Sequence, residues 1–191
     1  MDLRALSVTI QPLGPGRTII HHPDPVKISN DLKYGYSVTR DEMSFEVKIS
    51  GVPEGCYIAS VQYGGRDVPE SGIEYVGGAA LEITIGSDAA RMDGKALDKD
   101  DQARERAVVA LIPSDGKGAT RSVRSGPQGS FRISGVPPGD YKLLAWDDVA
   151  QDDLDDPAFW QRFDSQATAV TLEPAGSASA SIRVIAEGTV H

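Results

Sequence analysis

The chain has 191 residues, is 40% hydrophobic and 25% charged, and carries a net charge of −9. That composition belongs to a globular protein of one large domain or two small ones. Acidity is spread over both halves, −4 in residues 1–86 and −5 in the rest. This argues against nucleic-acid binding, which needs Lys and Arg to neutralise phosphates, and against adsorption to an anionic membrane.

The opening, MDLRALSVTIQPLG, has charged residues at positions 2 and 4 and no apolar run of the signal-peptide kind. No stretch approaches the roughly 20 apolar residues of a membrane-spanning helix, so membrane insertion is not expected. On this basis the chain reads as either cytoplasmic or a piece of a longer exported protein. Its only cysteine is Cys56, so no internal disulfide is available. In GCYIASV that cysteine reads as a small buried hydrophobe, since no cationic neighbour is there to activate the thiol.

Along the chain the hydrophobic pattern has period two. Leu6, Val8 and Ile10 alternate with Ser7 and Thr9. The same alternation recurs at Phe45–Ile49, Leu81–Ile85 and Ile182–Ala186. Each such run places one face on a core and one in water, as antiparallel strands of a sandwich do. The run Ala107-Val-Val-Ala-Leu-Ile112 is apolar throughout. It predicts a central strand covered on both faces and ended by Pro113. Twenty glycines and twelve prolines fit many turns between short strands.

One short helix is expected, in Asp155-Asp156-Pro157-Ala-Phe159-Trp160-Gln-Arg-Phe163. An Asp at the N-cap precedes a Pro at the first helical position, and the three aromatic rings form a narrow apolar stripe.

The chain also contains an internal repeat. Phe45-Glu-Val-Lys-Ile-Ser-Gly51-Val-Pro53-Glu-Gly55-Cys-Tyr57 is echoed by Phe131-Arg-Ile-Ser-Gly135-Val-Pro137-Pro-Gly139-Asp-Tyr141. The step from Gly51 to Gly135 sets the repeat offset, and it is the size of one small sandwich. Each copy is followed by another strand, then by a glycine and a last alternating strand, Leu81–Ile85 in one and Ile182–Ala186 in the other. The reading is two copies of one sandwich, residues 1–86 and 87–191, with the boundary near Gly86-Ser87-Asp88. In the repeat a strand is expected to end at Ile133. The prolines set the first corner of a turn, Gly139 supplies positive φ, and the chain returns as the neighbouring strand. Tyr141 then packs its ring on the core and bonds a loop carbonyl through its hydroxyl, as in a tyrosine corner.

With these residues in view, residues 88–186 resemble the carboxypeptidase regulatory-like domain, a transthyretin-like (prealbumin-like) β-sandwich. The marks are the turn Met92-Asp93-Gly94-Lys95, the core strand Val108–Pro113, and Gly129-Ser-Phe131-Arg-Ile-Ser-Gly-Val-Pro-Pro-Gly-Asp-Tyr141 leading to Ala145-Trp146. The Asp usual two residues before Ser130 is Gln128 here. Residues 3–86 resemble a diverged second copy, with Glu54 and Cys56 in place of the second Pro and the Asp. The resemblance implies an all-β chain of two tandem Greek-key (transthyretin/Ig-like) β-sandwich domains with one short helix in the second. It also implies an exported or cell-surface bacterial setting and a non-catalytic role. That role is a structural spacer or interaction module working with a protein partner or with neighbouring domains of a longer chain. A carbohydrate-binding module is the first alternative, and self-assembly into a filament by strand addition at sheet edges the second.

Candidate chemistry is sparse. His21, His22 and His191 are the histidines. The segment His21-His-Pro-Asp24 lacks a third zinc ligand at usable spacing, and no nucleophile elbow is present. The tract Asp147, Asp148, Asp152, Asp153, Asp155, Asp156 is a candidate calcium set. It is weighed against a solvated loop that caps the following helix. Trp146, Trp160, Tyr63 and Tyr75 are candidate glycan-stacking rings, weighed for the tryptophans against core packing. Related surface sandwiches use Lys–Asn isopeptide bonds. Asn30 is the only asparagine, so the second domain is left with a Lys–Asp version, for instance from Lys95. Glycan binding predicts exposed aromatics on one face. Strand addition predicts a long edge strand with few charges, or a terminal segment such as Leu3–Leu13 pairing with another chain. An enzyme predicts a cleft holding His21 or His22 near carboxylates.

Overall fold

Strands carry most of the regular structure in a computed structural model, which describes residues 5–13, 44–69, 72–74, 76, 78–116 and 118–186. The chain divides into two compact units, Met1–Ser87 and Asp88–His191.

Unit 1 holds β1 (Ser7–Leu13), β2 (Ser44–Ser50), β3 (Tyr57–Tyr63), β4 (Arg66–Asp67), β5 (Ile73–Glu74) and β6 (Leu81–Gly86). They form two three-stranded sheets, ordered β1-β2-β5 and β4-β3-β6.

Unit 2 holds β7 (Ala90–Leu97), β8 (Val108–Pro113), β9 (Arg121–Arg124), β10 (Ser130–Val136), β11 (Gly139–Trp146), β12 (Thr168–Leu172) and β13 (Ser177–Arg183). Its sheets are β10-β7-β13 and β12-β11-β8-β9. They face each other across a core that draws Met92, Phe131, Ile133 and Ile182 from one sheet and Val109, Leu111, Leu143 and Val170 from the other. The fold is therefore an all-β sandwich, as the period-two pattern required.

The apolar run at 107–112 becomes β8, an inner strand between β11 and β9. Val109 and Leu111 point into the sandwich core. Val108, Ala110 and Ile112 point the other way, into a second apolar layer with Leu144, Trp146, Leu154, Phe159, Trp160 and Phe163. A strand apolar on both faces needs two covers, and the helical segment after β11 is the second.

That segment is broken into pieces. α1 (Gln151–Asp155) ends at Asp156, whose backbone is extended (φ −92, ψ 111), and α2 (Pro157–Trp160) follows, continued by a 3-10 turn over Gln161–Gln166. The cause is Pro157, which disfavours helical backbone at the residue before it. Asp156 caps α2 by accepting a hydrogen bond from the Ala158 N–H at 2.9 Å.

The repeated GVP turn works differently from its sequence expectation. β10 does not stop at Ile133; it continues to Val136 through a bulge at Gly135, where φ is +70. Nor does the chain return as a neighbouring strand. β10 pairs with β7, whereas β11 pairs with β8 and β12, so the turn carries the chain from one sheet to the other. Tyr141 fixes that crossing, its part-buried hydroxyl donating to the Pro137 carbonyl at 2.7 Å. Tyr141→Phe should destabilise unit 2 by about 1 kcal/mol, the net worth of one such bond. Urea unfolding should show a lower midpoint at unchanged slope, and an unchanged midpoint would remove the hydroxyl from the account.

The two units share more than the GVP turn. Ser7 pairs with Ser50 in β1–β2, and Arg91 with Ser134 in β7–β10, each partner displaced by the same step that separates Gly51 from Gly135. Tyr57 pairs with Gly86 in β3–β6, and Tyr141 with Val170 in β11–β12, again at that offset. The structural counterpart of β6 is therefore β12. The sequence pattern had matched Leu81–Ile85 with Ile182–Ala186, and that match fails because alternation alone does not specify which sheet a strand joins. β13 has no counterpart among the described strands of unit 1.

Candidate functional site

The Asp-rich tract leaves β11 at Asp147 and runs to the cap of α2. Its first two carboxylates form ion pairs. Arg104 Nε donates to Asp147 Oδ1 at 2.6 Å, and Arg124 Nη2 to Asp148 Oδ1 at 3.0 Å. Asp156 is the α2 cap. Asp152 and Asp153 are exposed in the first turn of α1, where a negative charge meets the positive end of the helix dipole. The side chain of Asp155 lies outside the described residues. Among the described residues no three His, Cys, Asp or Glu side chains gather in a way that could hold a metal ion. The proposed calcium set is thus distributed, with three of its members engaged elsewhere.

The candidate stacking rings divide in the same way. Trp146 is 0% exposed, and its ring meets Phe163 edge-on at 5.7 Å and Phe159 at 5.8 Å. Trp160 is 6% exposed and lies beneath the Lys142 ammonium, 5.5 Å from the ring centroid. Neither tryptophan offers a ring face to a sugar; both belong to the layer joining helix and sheet. Tyr63 is half-buried. Its hydroxyl donates to the Val76 carbonyl at 2.9 Å and accepts from the Val76 N–H at 3.1 Å, bracing the loop between β3 and β6. Tyr75, His21, His22, His191 and Asn30 lie outside the described residues. Lys95 is exposed on β7, and its cross-strand neighbours are Ser130 and Ser181, so no carboxylate stands opposite it for an isopeptide bond.

One charged cluster was not singled out by the sequence. On β7, Asp93 accepts from Arg91 Nε through Oδ2 and from Arg132 Nε on β10 through Oδ1, both at 2.6 Å. The hydrogen bond from Arg132 above all, with that from Arg91 and the charge of both guanidinium groups, outweighs partial burial. The Asp93 carboxyl is held below its ordinary value. Arg91 and Asp93 stand two residues apart on one strand face, but the Arg132 contact needs the β7–β10 register, which no local pattern reveals.

A carboxyl with a lowered folded-state pKa contributes stability that is fully present above its unfolded value. That contribution is lost as pH falls through the folded value, so it fades in acid below the usual Asp range. Asp93→Asn should remove about 0.5–1 kcal/mol at neutral pH, the scale of exposed ion pairs, and flatten the acid limb of the stability curve. Chemical unfolding of both proteins from neutral pH into acid measures this, and parallel acid limbs would contradict it.

No family model matches the chain, and no curated protein matches it. Solved structures with partial likeness include BcpA, the major pilin subunit of Bacillus cereus, at 14% identity and TM-score 0.34, over 73% of this chain and 43% of that one. GBS52, a minor pilin of Streptococcus agalactiae, is 16% identical with TM-score 0.35, over 74% of this chain and 66% of that one. A streptococcal ancillary pilin is 14% identical with TM-score 0.34, over 93% of this chain and 61% of that one. The chain spans less than half of the BcpA structure. Likeness at this level assigns no function.

Proposed function

We propose that this chain is a non-catalytic structural module, a pair of β-sandwiches serving as a spacer or protein-binding unit in an exported or cell-surface bacterial protein. The observation that carries the reading is how the chemistry-bearing side chains of unit 2 are used. The acidic tract supplies two inter-element ion pairs and a helix cap, and the tryptophans close the second apolar layer. These are devices of mechanical integrity, as is the Arg91–Asp93–Arg132 cluster that ties β7 to β10. The resemblance of residues 88–186 to carboxypeptidase regulatory-like domains supports the same role and the exported setting.

Light scattering with a mass readout tests this. The purified chain should give the 20.3 kDa of its sequence with calcium and with chelator, should melt at the same temperature in both, and should bind nothing on a glycan array. A melting temperature that falls on chelation would make the Asp147–Asp156 tract a calcium site. Glycan capture would move the chain into the carbohydrate-binding class.

A further inference from the structure

The two sheets of unit 2 use their outer faces differently. That of β12-β11-β8-β9 lies under the helical segment and is apolar. That of β10-β7-β13 is polar and exposed. Alternation decides what stands on it. Met92 and Ala96 of β7 point into the core, as do Phe131 and Ile133 of β10, so Arg91, Asp93, Lys95 and Arg132 point outward. The strand register sets Asp93 between Arg132 and Ser179. Arg91 and Lys95 stand two residues to either side of it on β7, each with a serine beside it on both neighbouring strands. Arg91, Arg132 and Lys95 against Asp93 leave this face a net +2, in a half of the chain whose net charge is −5.

Asp93 positions the two arginines. Each guanidinium donates to it through Nε, Arg91 to Oδ2 and Arg132 to Oδ1. A guanidinium held by its Nε keeps both Nη nitrogens, the fork that meets a carboxylate through two parallel hydrogen bonds. The tie between strands and the fork therefore use different atoms of the same group. The Asp93 charge opposes an incoming anion, but it is divided between two cations and lies deeper than they do. Its side chain is 27% exposed, against 48% for Arg91 and 66% for Arg132. Lys95 is exposed as well, with only serines opposite it.

We propose that this face binds an acidic segment of a partner polypeptide in extended conformation, its carboxylates seated on Arg91, Arg132 and Lys95. Charge complementarity selects the acidic partner, as in other arginine clusters that read acidic motifs. Spacing selects a polypeptide. Arg91 and Lys95 lie four residues apart on one strand face, about 13 Å at the rise of a strand. An extended peptide has the same rise, so acidic side chains four positions apart meet both cations, and one midway between them meets Arg132. The flanking serines are short, which leaves room for a chain lying along β7, and their hydroxyls can bond its amides. The inference rests on the module reading above and names the chemistry of that module's protein partner.

The test uses the full chain and a short polyglutamate peptide at low salt, followed by NMR of the arginine Nε–H signals and the backbone amides. The Arg91 and Arg132 signals and the amides of β7 should shift saturably, and affinity should fall as salt is raised. Lys95 forms no ion pair among the described residues, so Lys95→Gln should stay folded. It should weaken binding about two- to fivefold, the worth of one exposed ion pair, and Arg132→Gln by at least as much. Shifts centred elsewhere, an affinity unchanged by Lys95→Gln, or no binding would overturn the proposal. Inorganic sulfate bound as tightly as the peptide would reduce the face to a simple anion site. A heparin fragment bound where the peptide is not would assign it to acidic glycans. Either result removes the polypeptide partner. A mass that rises with concentration in the parent chain but not in Lys95→Gln would replace that partner with a second copy. Failure of the peptide to bind leaves the module reading intact, since that reading is tested by mass, chelation and the glycan array.

Discussion

Replacing Trp146 with alanine is expected to lower the unfolding free energy of unit 2 by about 3–5 kcal/mol, the range for deleting a large buried aromatic side chain. Trp146 is the last residue of β11 and is fully buried, with Leu144, Ile112 and Ala110 of the sheet around it and Leu154, Phe159 and Phe163 of the helical segment above it. Removing the indole leaves a cavity in the layer between sheet and helical segment, and the two aromatic pairs with Phe159 and Phe163 are lost as well. One effect acts the other way: the indole N–H is buried with no hydrogen-bond partner, so truncation also removes an unsatisfied donor. That offset places the result toward the lower end of the range. Guanidinium unfolding measures it, with Phe163→Leu as a milder companion. A loss below about 1 kcal/mol would mean that residues 147–167 lift from the sheet without cost and that the second apolar layer is not part of the cooperative unit.

Trp146 also shows where sequence reading works. The alternation of small, polar and apolar residues gave the strands because a sheet face imposes period two, and six consecutive apolar residues at 107–112 gave a doubly covered strand. The aromatic stripe at Phe159, Trp160 and Phe163 gave the cover. Local chemistry also identified the Asp–Pro start of α2. What could not be read was pairing. Nothing local to Ile133-Ser-Gly-Val says that the strand continues through a bulge, or that the chain then changes sheets. The match of Leu81–Ile85 to Ile182–Ala186 failed for the same reason, since two alternating strands look alike whichever neighbour they bond. The Asp93 cluster depends on register too, a relation between residues far apart in the chain, Asp93 with Arg132. The tract Asp147–Asp156 was legible as acidic, but the ion partners Arg104 and Arg124 reach it from β8's entry loop and from β9, so its role depends on long-range structure.

Register also leaves Gly94 no room for a side chain. It stands in the middle of β7, opposite Phe131 on β10 and Ala180 on β13. A Cβ there would run into the Ala180 carbonyl oxygen on one side and the Phe131 ring on the other. The first obstacle is backbone, which cannot rotate away. Gly94→Ala should therefore cost about 2–3 kcal/mol, the upper part of the range for overpacking, even though alanine is ordinarily the better strand residue. Unit 1 offers the comparison. At the equivalent pair, Ile10 lies opposite Val47: the large residue is on the first strand and the smaller on the second, the reverse of Gly94 and Phe131. The double variant Gly94→Ala, Phe131→Val should relieve the ring contact but leave the Ala180 carbonyl in place. Its cost should fall short of the sum of the single costs by about 0.5–1 kcal/mol, as for side chains in direct contact, without returning to the stability of Phe131→Val alone. Hydrogen exchange should show the remaining loss along β13, the strand forced outward. If the costs simply add, Phe131 does not limit the space at Gly94; if the double variant matches Phe131→Val alone, the approach of Ala180 does not limit it either.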